Sequence, residues 1–253
     1  MKKAWLTTRS LLLWAASGLH FAAVGGFLIL LGAVVDPRKN DWPQRVFFRN
    51  ILRIAGVRFE VRRSPGFDPR RTSIFVCNHV NIFDPFVVYS AIPQFVRGFE
   101  LQSHFKVPVY GWMMGRFGNI PVPNPPGRDG LEEMSRRARA ALDSGVSLIA
   151  FAEGSRTRTG HVKPFKKGIF SLAKRFGAPI VPMSIVGSYE FFRTGHWMLH
   201  PGKITVYLHD TISAAEVVQT DADALRDKVR EIVSRPVEDS LPKEGELQRV
   251  SSA

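Results

Sequence analysis

The sequence predicts an α/β fold: a single domain with a mixed, largely parallel sheet flanked by helices, preceded by an N-terminal hydrophobic, membrane-associated helix or helical hairpin. Three observations carry this expectation. Short apolar runs such as Ser73-Ile74-Phe75-Val76-Cys77 and Ser147-Leu148-Ile149-Ala150-Phe151 read as buried strands. Segments with helical spacing alternate with them, which is the signature of an α/β series. Ahead of the series, residues 11–35 are almost wholly apolar.

That first run is longer than the ~20 residues needed to cross a bilayer and longer than the core of a signal peptide, so it reads as a retained anchor. Basic residues flank it on both sides (Lys2, Lys3 and Arg9 before; Arg38, Lys39, Arg45, Arg49 and Arg53 after). The excess after the run tilts the C-terminal side towards the cytoplasm. Gly25-Gly26 suggests a break into two short helices that dip into one leaflet, and this hairpin is preferred over a single span. The next stretch, with Trp42, Phe47, Phe48 and several arginines, suits either an amphipathic helix on a membrane surface or a packed helix of the domain.

The globular series follows. A strand is expected at 57–62, another at 73–77, a helix at 85–92 closed by Pro93, and a strand at 96–100. Residues 108–117 suggest a short helix whose Trp112, Met113, Met114 and Phe117 serve core packing or line a channel. A loop at 121–127, a helix at 130–143, a strand at 147–151, a helix at 168–176, and strands at 179–186 and 203–208 come next. One last helix is expected within 214–234. The boundaries are therefore 1–56 for the anchoring and amphipathic segment, 57–235 for the globular domain, and 236–253 for a polar, disordered tail.

The most informative stretch is Asn78-His79-Val80-Asn81-Ile82-Phe83-Asp84-Pro85, which leaves the end of a strand. Pro85 suits the first helical position and places Asp84 where an N-cap belongs. On a continuous helix, positions five apart lie about 140° from each other, so His79 and Asp84 meet only if a loop joins them. Two readings stay open from these residues alone. Asp84 orients His79 as a general base, or Asp84 caps a helix and His79 is a satisfied loop histidine. After the 147–151 strand come Glu153-Gly154-Ser155-Arg156 and then Lys166-Lys167-Gly168, a basic loop that suits an anionic group or is simply solvated. Both segments leave the C-terminal ends of strands, where ligand crevices sit in open α/β sheets.

Together these segments resemble the glycerolipid acyltransferase family, which includes the 1-acylglycerol-3-phosphate (lysophosphatidate) acyltransferases. Asn78, His79 and Asp84 match its N-H-x-S-x-x-D motif. Phe151, Glu153, Gly154, Ser155 and Arg156 match F-P-E-G-T-R. Ile180 to Ile185 resemble the V-P strand, and 105–122 a second-motif region. Asn81, Ala152 and Ser155 depart from the usual serine, proline and threonine, while Gln102 and Pro123-Asn124 replace charged positions.

The resemblance implies transfer of an acyl group from a thioester, acyl-CoA or acyl carrier protein, to a lysolipid hydroxyl, without a further cofactor, metal or acyl-enzyme. His79 would take the hydroxyl proton and Asp84 would orient it. Asn78, Glu153, Gly154, Ser155 and Arg156 would bind or shape the substrate site, with Lys106 as a weaker candidate, and turn amides between Asn78 and Asp84 would serve the oxyanion. Lysophosphatidate is the default acceptor. The departures make a lyso-amino-acid (ornithine-type) lysolipid a competitor. A lipid-binding protein without chemistry and a thioester or lipid hydrolase are the readings from other classes. The expected location is the inner membrane, with the catalytic domain facing the cytoplasm.

Composition narrows the field. The net charge of +13 favours anionic lipid surfaces. No recognisable nucleic-acid module accompanies that charge, so nucleic acid is not an expected partner. The single cysteine, Cys77, excludes an internal disulfide. It is a thinkable nucleophile, but a thiol ending an apolar strand usually behaves as a small buried hydrophobe. No metal-ligand motif and no G-x-S-x-G elbow occur.

Overall fold

The computed structural model describes residues 2–39 and 41–241. Helix α1 (Lys2–Val34) is continuous through Gly25 and Gly26, which corrects the preferred hairpin. Glycine in a helix interior costs only about 1 kcal/mol relative to alanine. Here Gly25 is buried, and a Cβ on it would lie 3.7 Å from Met113 Sδ and 3.9 Å from Phe47. Close packing of α1 on the domain thus compensates for the flexible residues. Its segment Ala4–Val34 has a mean hydropathy of 1.9, long and apolar enough to cross a membrane.

Helix α2 (Trp42–Ile54) buries Phe47, Phe48, Ile51 and Leu52 and packs between α1 and α3 (Asp84–Ala91). The packed-helix reading holds for this buried face, while Trp42, Val46, Arg49 and Arg53 stay exposed on the opposite one. Phe48 stacks on Tyr89 of α3 with ring centroids 4.9 Å apart.

Seven strands form one sheet: β1 (Arg58–Arg63), β2 (Ile74–Cys77), β3 (Val96–Leu101), β4 (Ile120–Val122), β5 (Ser147–Phe151), β6 (Ile180–Val186) and β7 (Lys203–Leu208). Their spatial order is β1-β7-β6-β2-β5-β3-β4. Every neighbouring pair is parallel except β6 with β7, so the mixed, largely parallel sheet is as expected. Strand β2 is central and wholly buried. Its period-two alternation sends Phe75 and Cys77 into one core and Ile74 and Val76 into the other.

The first core joins the sheet to α1, α2, α3 and α4 (Tyr110–Arg116). Met113, Met114 and Phe117 are buried in it, whereas Trp112 is exposed. The second core takes α5 (Arg128–Asp143), α6 (Gly168–Phe176) and α9 (Ala222–Glu238).

Several boundaries differ from expectation. Strand β4 and helix α7 (Ser188–Phe191) are additional elements. The expected last helix is two, α8 (Ala214–Gln219) and α9, because Asp221 accepts the amides of Asp223 and Ala224 and starts a new helix. Helix α9 continues through Pro236 to Glu238, which corrects the start of the expected tail. Residues 242–253 of that tail lie outside the described residues.

Candidate active site

Parallel pairing sets the site. Cys77 at the end of β2 aligns with Phe151 at the end of β5, so both motif loops emerge side by side from one edge of the sheet. They are stitched together at His79. The His79 amide donates to Glu153 Oε1 at 2.7 Å, and the Thr157 amide donates to the His79 carbonyl at 2.9 Å. The His79 ring stacks on Phe151 with centroids 4.1 Å apart.

The loop expected between His79 and Asp84 exists, and the two side chains meet. His79 Nδ1 lies 2.8 Å from Asp84 Oδ2. That oxygen also accepts the amides of Val80 (2.5 Å) and Asn81 (2.9 Å). Two obligate donors already point at Asp84 Oδ2, so His79 Nδ1 carries its proton towards the carboxylate. Nε2 is left as the basic nitrogen, with no hydrogen bond among the described residues. Asp84 is fully buried, while the His79 side chain is 19% exposed. The expected N-cap role is corrected. Asp84 is the first residue of α3, Phe83 precedes it, and its carboxylate reaches back to the turn.

Ser188, invisible to sequence reasoning, completes the arrangement. Its hydroxyl donates to Asp84 Oδ1 at 2.8 Å, and it is buried. Gly187 before it has φ +85°, and a Cβ there would lie 2.2 Å from the Lys203 carbonyl. Only glycine allows the chain to turn off β6 at this point. Asn81, which stands where the resemblance expects serine, donates to the Ser188 carbonyl and hydroxyl and to the Phe192 carbonyl.

The other predicted residues divide. Asn78 is buried and spends its amide on β6, donating to the Ile185 carbonyl and accepting its N–H. It locks the turn rather than reaching a substrate. Glu153 is buried and accepts from His79 and Lys163. Burial raises its carboxyl above the usual value, against the pull of those two amides. Gly154 has φ +69° and lies under Lys166, whose Cε would be 2.6 Å from an added Cβ. Ser155 and Arg156 are exposed on the loop, and the Lys163 amine, a residue not singled out from sequence, donates to the Ser155 hydroxyl and the Arg156 carbonyl. Lys106 is exposed at the end of a 3₁₀ turn, Gln102–Lys106, that leaves β3 at the same sheet edge.

The oxyanion expectation narrows, and the expected buried, unreactive Cys77 holds. The amides of His79, Val80, Asn81, Phe83 and Asp84 are all spent inside the protein, so these five turn amides do not form an oxyanion hole. Cys77 is fully buried, and desolvation pushes its thiol well above the usual value, which removes it as a nucleophile.

The family model described as Acyltransferase matches residues 58–186, which runs from β1 to the end of β6 and takes in His79, Asp84 and Glu153. The chain belongs to the acyltransferase family. This acyltransferase is 30% identical over 158 residues to a chloroplastic 1-acyl-sn-glycerol-3-phosphate acyltransferase of Brassica napus, covering 62% of this chain and 44% of that one. A 1-acyl-sn-glycerol-3-phosphate acyltransferase of Cocos nucifera is 32% identical over 136 residues, covering 53% and 44%. The alpha enzyme of that name from Mus musculus is 26% identical over 219 residues, covering 83% and 76%. The chain thus spans less than half the length of the two plant relatives. The crystal structure of the 1-acyl-sn-glycerophosphate acyltransferase of Thermotoga maritima shares the fold, with a TM-score of 0.78, 23% identity, and coverage of 94% and 97%.

Proposed function

We propose that the chain is a membrane-associated O-acyltransferase that esterifies the free hydroxyl of a lysolipid, with 1-acyl-sn-glycerol-3-phosphate as the default acceptor and phosphatidic acid as the product. The observation that carries the reading is the partly exposed imidazole with Nδ1 tied to a buried, four-fold hydrogen-bonded Asp84 and Nε2 free. The names of the relatives support the acceptor.

In the proposed reaction Nε2 removes the proton of the acceptor hydroxyl as its oxygen attacks the thioester carbonyl. Asp84 stabilises the imidazolium that forms. Collapse of the tetrahedral intermediate breaks the C–S bond, and the imidazolium returns its proton to the departing thiolate. Positioned proton transfer of this kind is worth on the order of 10²–10⁴ in rate. The acceptor oxygen is itself the nucleophile, so neither a covalent enzyme intermediate nor a further cofactor is needed. The donor is acyl-CoA or an acyl carrier protein. Arg156, Lys163, Lys166 and Lys106 supply the positive charge for an anionic head group, and α1 holds the chain on the cytoplasmic face of the inner membrane.

One observation favours a second acceptor. Gln102 and Pro123-Asn124 stand where the resemblance places charged residues, so an ornithine-type lysolipid is the competing substrate. The test is a panel of lysolipid acceptors assayed with labelled acyl-CoA and acyl carrier protein donors. Acyl transfer to lysophosphatidate above the other acceptors is expected. Preferential acylation of the lyso-amino-acid lipid selects the competitor, free fatty acid without acceptor selects a hydrolase, and binding without turnover refutes the enzymatic reading.

A further inference from the structure

At the far end of α3 from Asp84, a cleft of about 370 Å³ opens between α2, α3 and β1. Its floor is apolar, formed by Phe59, Val61 and Ile92, and Arg49 and Arg63 stand at its walls. Neither arginine has a hydrogen bond or ion pair among the described residues. Ser90 also lines the cleft, and its hydroxyl is buried with no partner. Among the described residues, no acidic side chain lines it. Arg45, a third arginine of the wall, is committed elsewhere. It pairs with Asp41 and donates to the carbonyls of Ile92, Pro93 and Gln94. That cap offsets the negative C-terminal end of α3, which would otherwise repel an anion.

We propose that this cleft is a second lipid site, taking the phosphate head of an anionic phospholipid on Arg49, Arg63 and the Ser90 hydroxyl, with the start of an acyl chain over Phe59 and Val61. Two arginine forks and a hydroxyl match phosphate oxygens. The apolar floor distinguishes an amphiphile from a soluble phosphate. Continuity with an interfacial surface points the same way. Trp42, Val46, Arg49 and Arg53 lie on one exposed stripe of α2, combining aromatic, apolar and cationic groups as interfacial helices do. The proposal rests on the membrane-surface reading and is independent of acyl transfer, because the cleft lies a helix length from His79.

The test uses the full chain in dodecyl maltoside micelles, titrated with dioctanoyl phosphatidylglycerol, dioctanoyl phosphatidylcholine and inorganic phosphate, with binding read by native mass spectrometry and calorimetry. Phosphatidylglycerol is expected to bind roughly tenfold or more tightly than phosphatidylcholine. The double variant Arg49→Gln/Arg63→Gln is expected to lose that preference, and Ser90→Ala, which alters no charge, to weaken it by roughly three-fold. His79→Ala and Arg70→Gln/Arg71→Gln should bind as the parent does. Undiminished binding by the double variant, equal binding of the neutral lipid, loss of binding in His79→Ala, or displacement by inorganic phosphate at equal concentration would each overturn the assignment. Sedimentation with phosphatidylcholine vesicles reports the membrane reading separately. A chain that fails to sediment loses that reading, while the micelle titration still decides the cleft.

Discussion

The His79 imidazole is held in place by residues deeper in the fold, Asp84 and behind it Ser188. His79→Ala is expected to abolish acyl transfer while the protein stays folded, and residual turnover within ten-fold of the parent would refute the base role. Ser188→Ala removes the donor to Asp84 Oδ1. Leaving a buried acceptor unpaired costs about 1–3 kcal/mol, so kcat should fall roughly 5- to 150-fold with KM little changed. A matching rise in KM, or an unchanged pH profile of kcat, would leave Ser188 a purely structural residue. At this scale the sequence was informative where chemistry is local. His79 and Asp84 are five apart in a turn, and their pairing follows from the strand before and the proline after. Ser188 lies 104 residues from Asp84, and only the pairing of β6 with β2 brings it there. Asn78 misled for a related reason, since a polar residue in a motif looks the same whether it faces substrate or locks a strand.

Elements joined by buried polar groups respond to pH. His209, just after β7, meets the Ser184 hydroxyl of β6 at 2.8 Å, and that hydroxyl donates to the Val233 carbonyl of α9. Burial holds the His209 pKa below its usual value, partly opposed by Asp210. The fold therefore favours the neutral ring, while the unfolded chain takes up a proton near pH ~6.5. Stability from this source is present above that pH and is lost as pH falls through the depressed folded-state value. The thermal midpoint should drop between about pH 7.5 and 5.5, with a shallower drop in His209→Gln; equal slopes would exclude His209. The strands were legible because a parallel sheet covered on both faces demands short continuous apolar runs. The missed elements, β4 and α7, are 3 and 4 residues long, too short for periodicity to register. The break between α8 and α9 does carry a signal in Asp221, an N-cap residue type just ahead of the apolar spacing at Leu225, Val229 and Val233.

For the whole molecule, the decisive feature is how α1 lies against the domain. Trp14 packs on Phe83 and Phe192 and donates its indole N–H to the Trp197 carbonyl. Phe21 meets Phe86, and Leu28 is buried. Removing residues 1–35 would therefore uncover core as well as any anchor, so substitution on the outer face is the cleaner test. Leu12, Leu19 and Leu30 are each more than half exposed. Changing all three to glutamate should leave the fold intact and reduce sedimentation with phospholipid vesicles by roughly ten-fold or more, given about 1.5–3 kcal/mol per buried leucine; full sedimentation would refute the surface role of α1. Composition revealed that the helix is apolar but not that one side is occupied, because the partner residues are scattered from Phe47 to Leu199. The stitching of His79 to Glu153 and Thr157, and of Asp84 to Ser188, also has a consequence for biosynthesis. A nascent chain still on the ribosome presents the N-H-x-N-x-x-D turn early, yet lacks the full set of partners that fix it until Ser188 has emerged. Truncation before Ser188 is therefore expected to leave the turn without its last anchor.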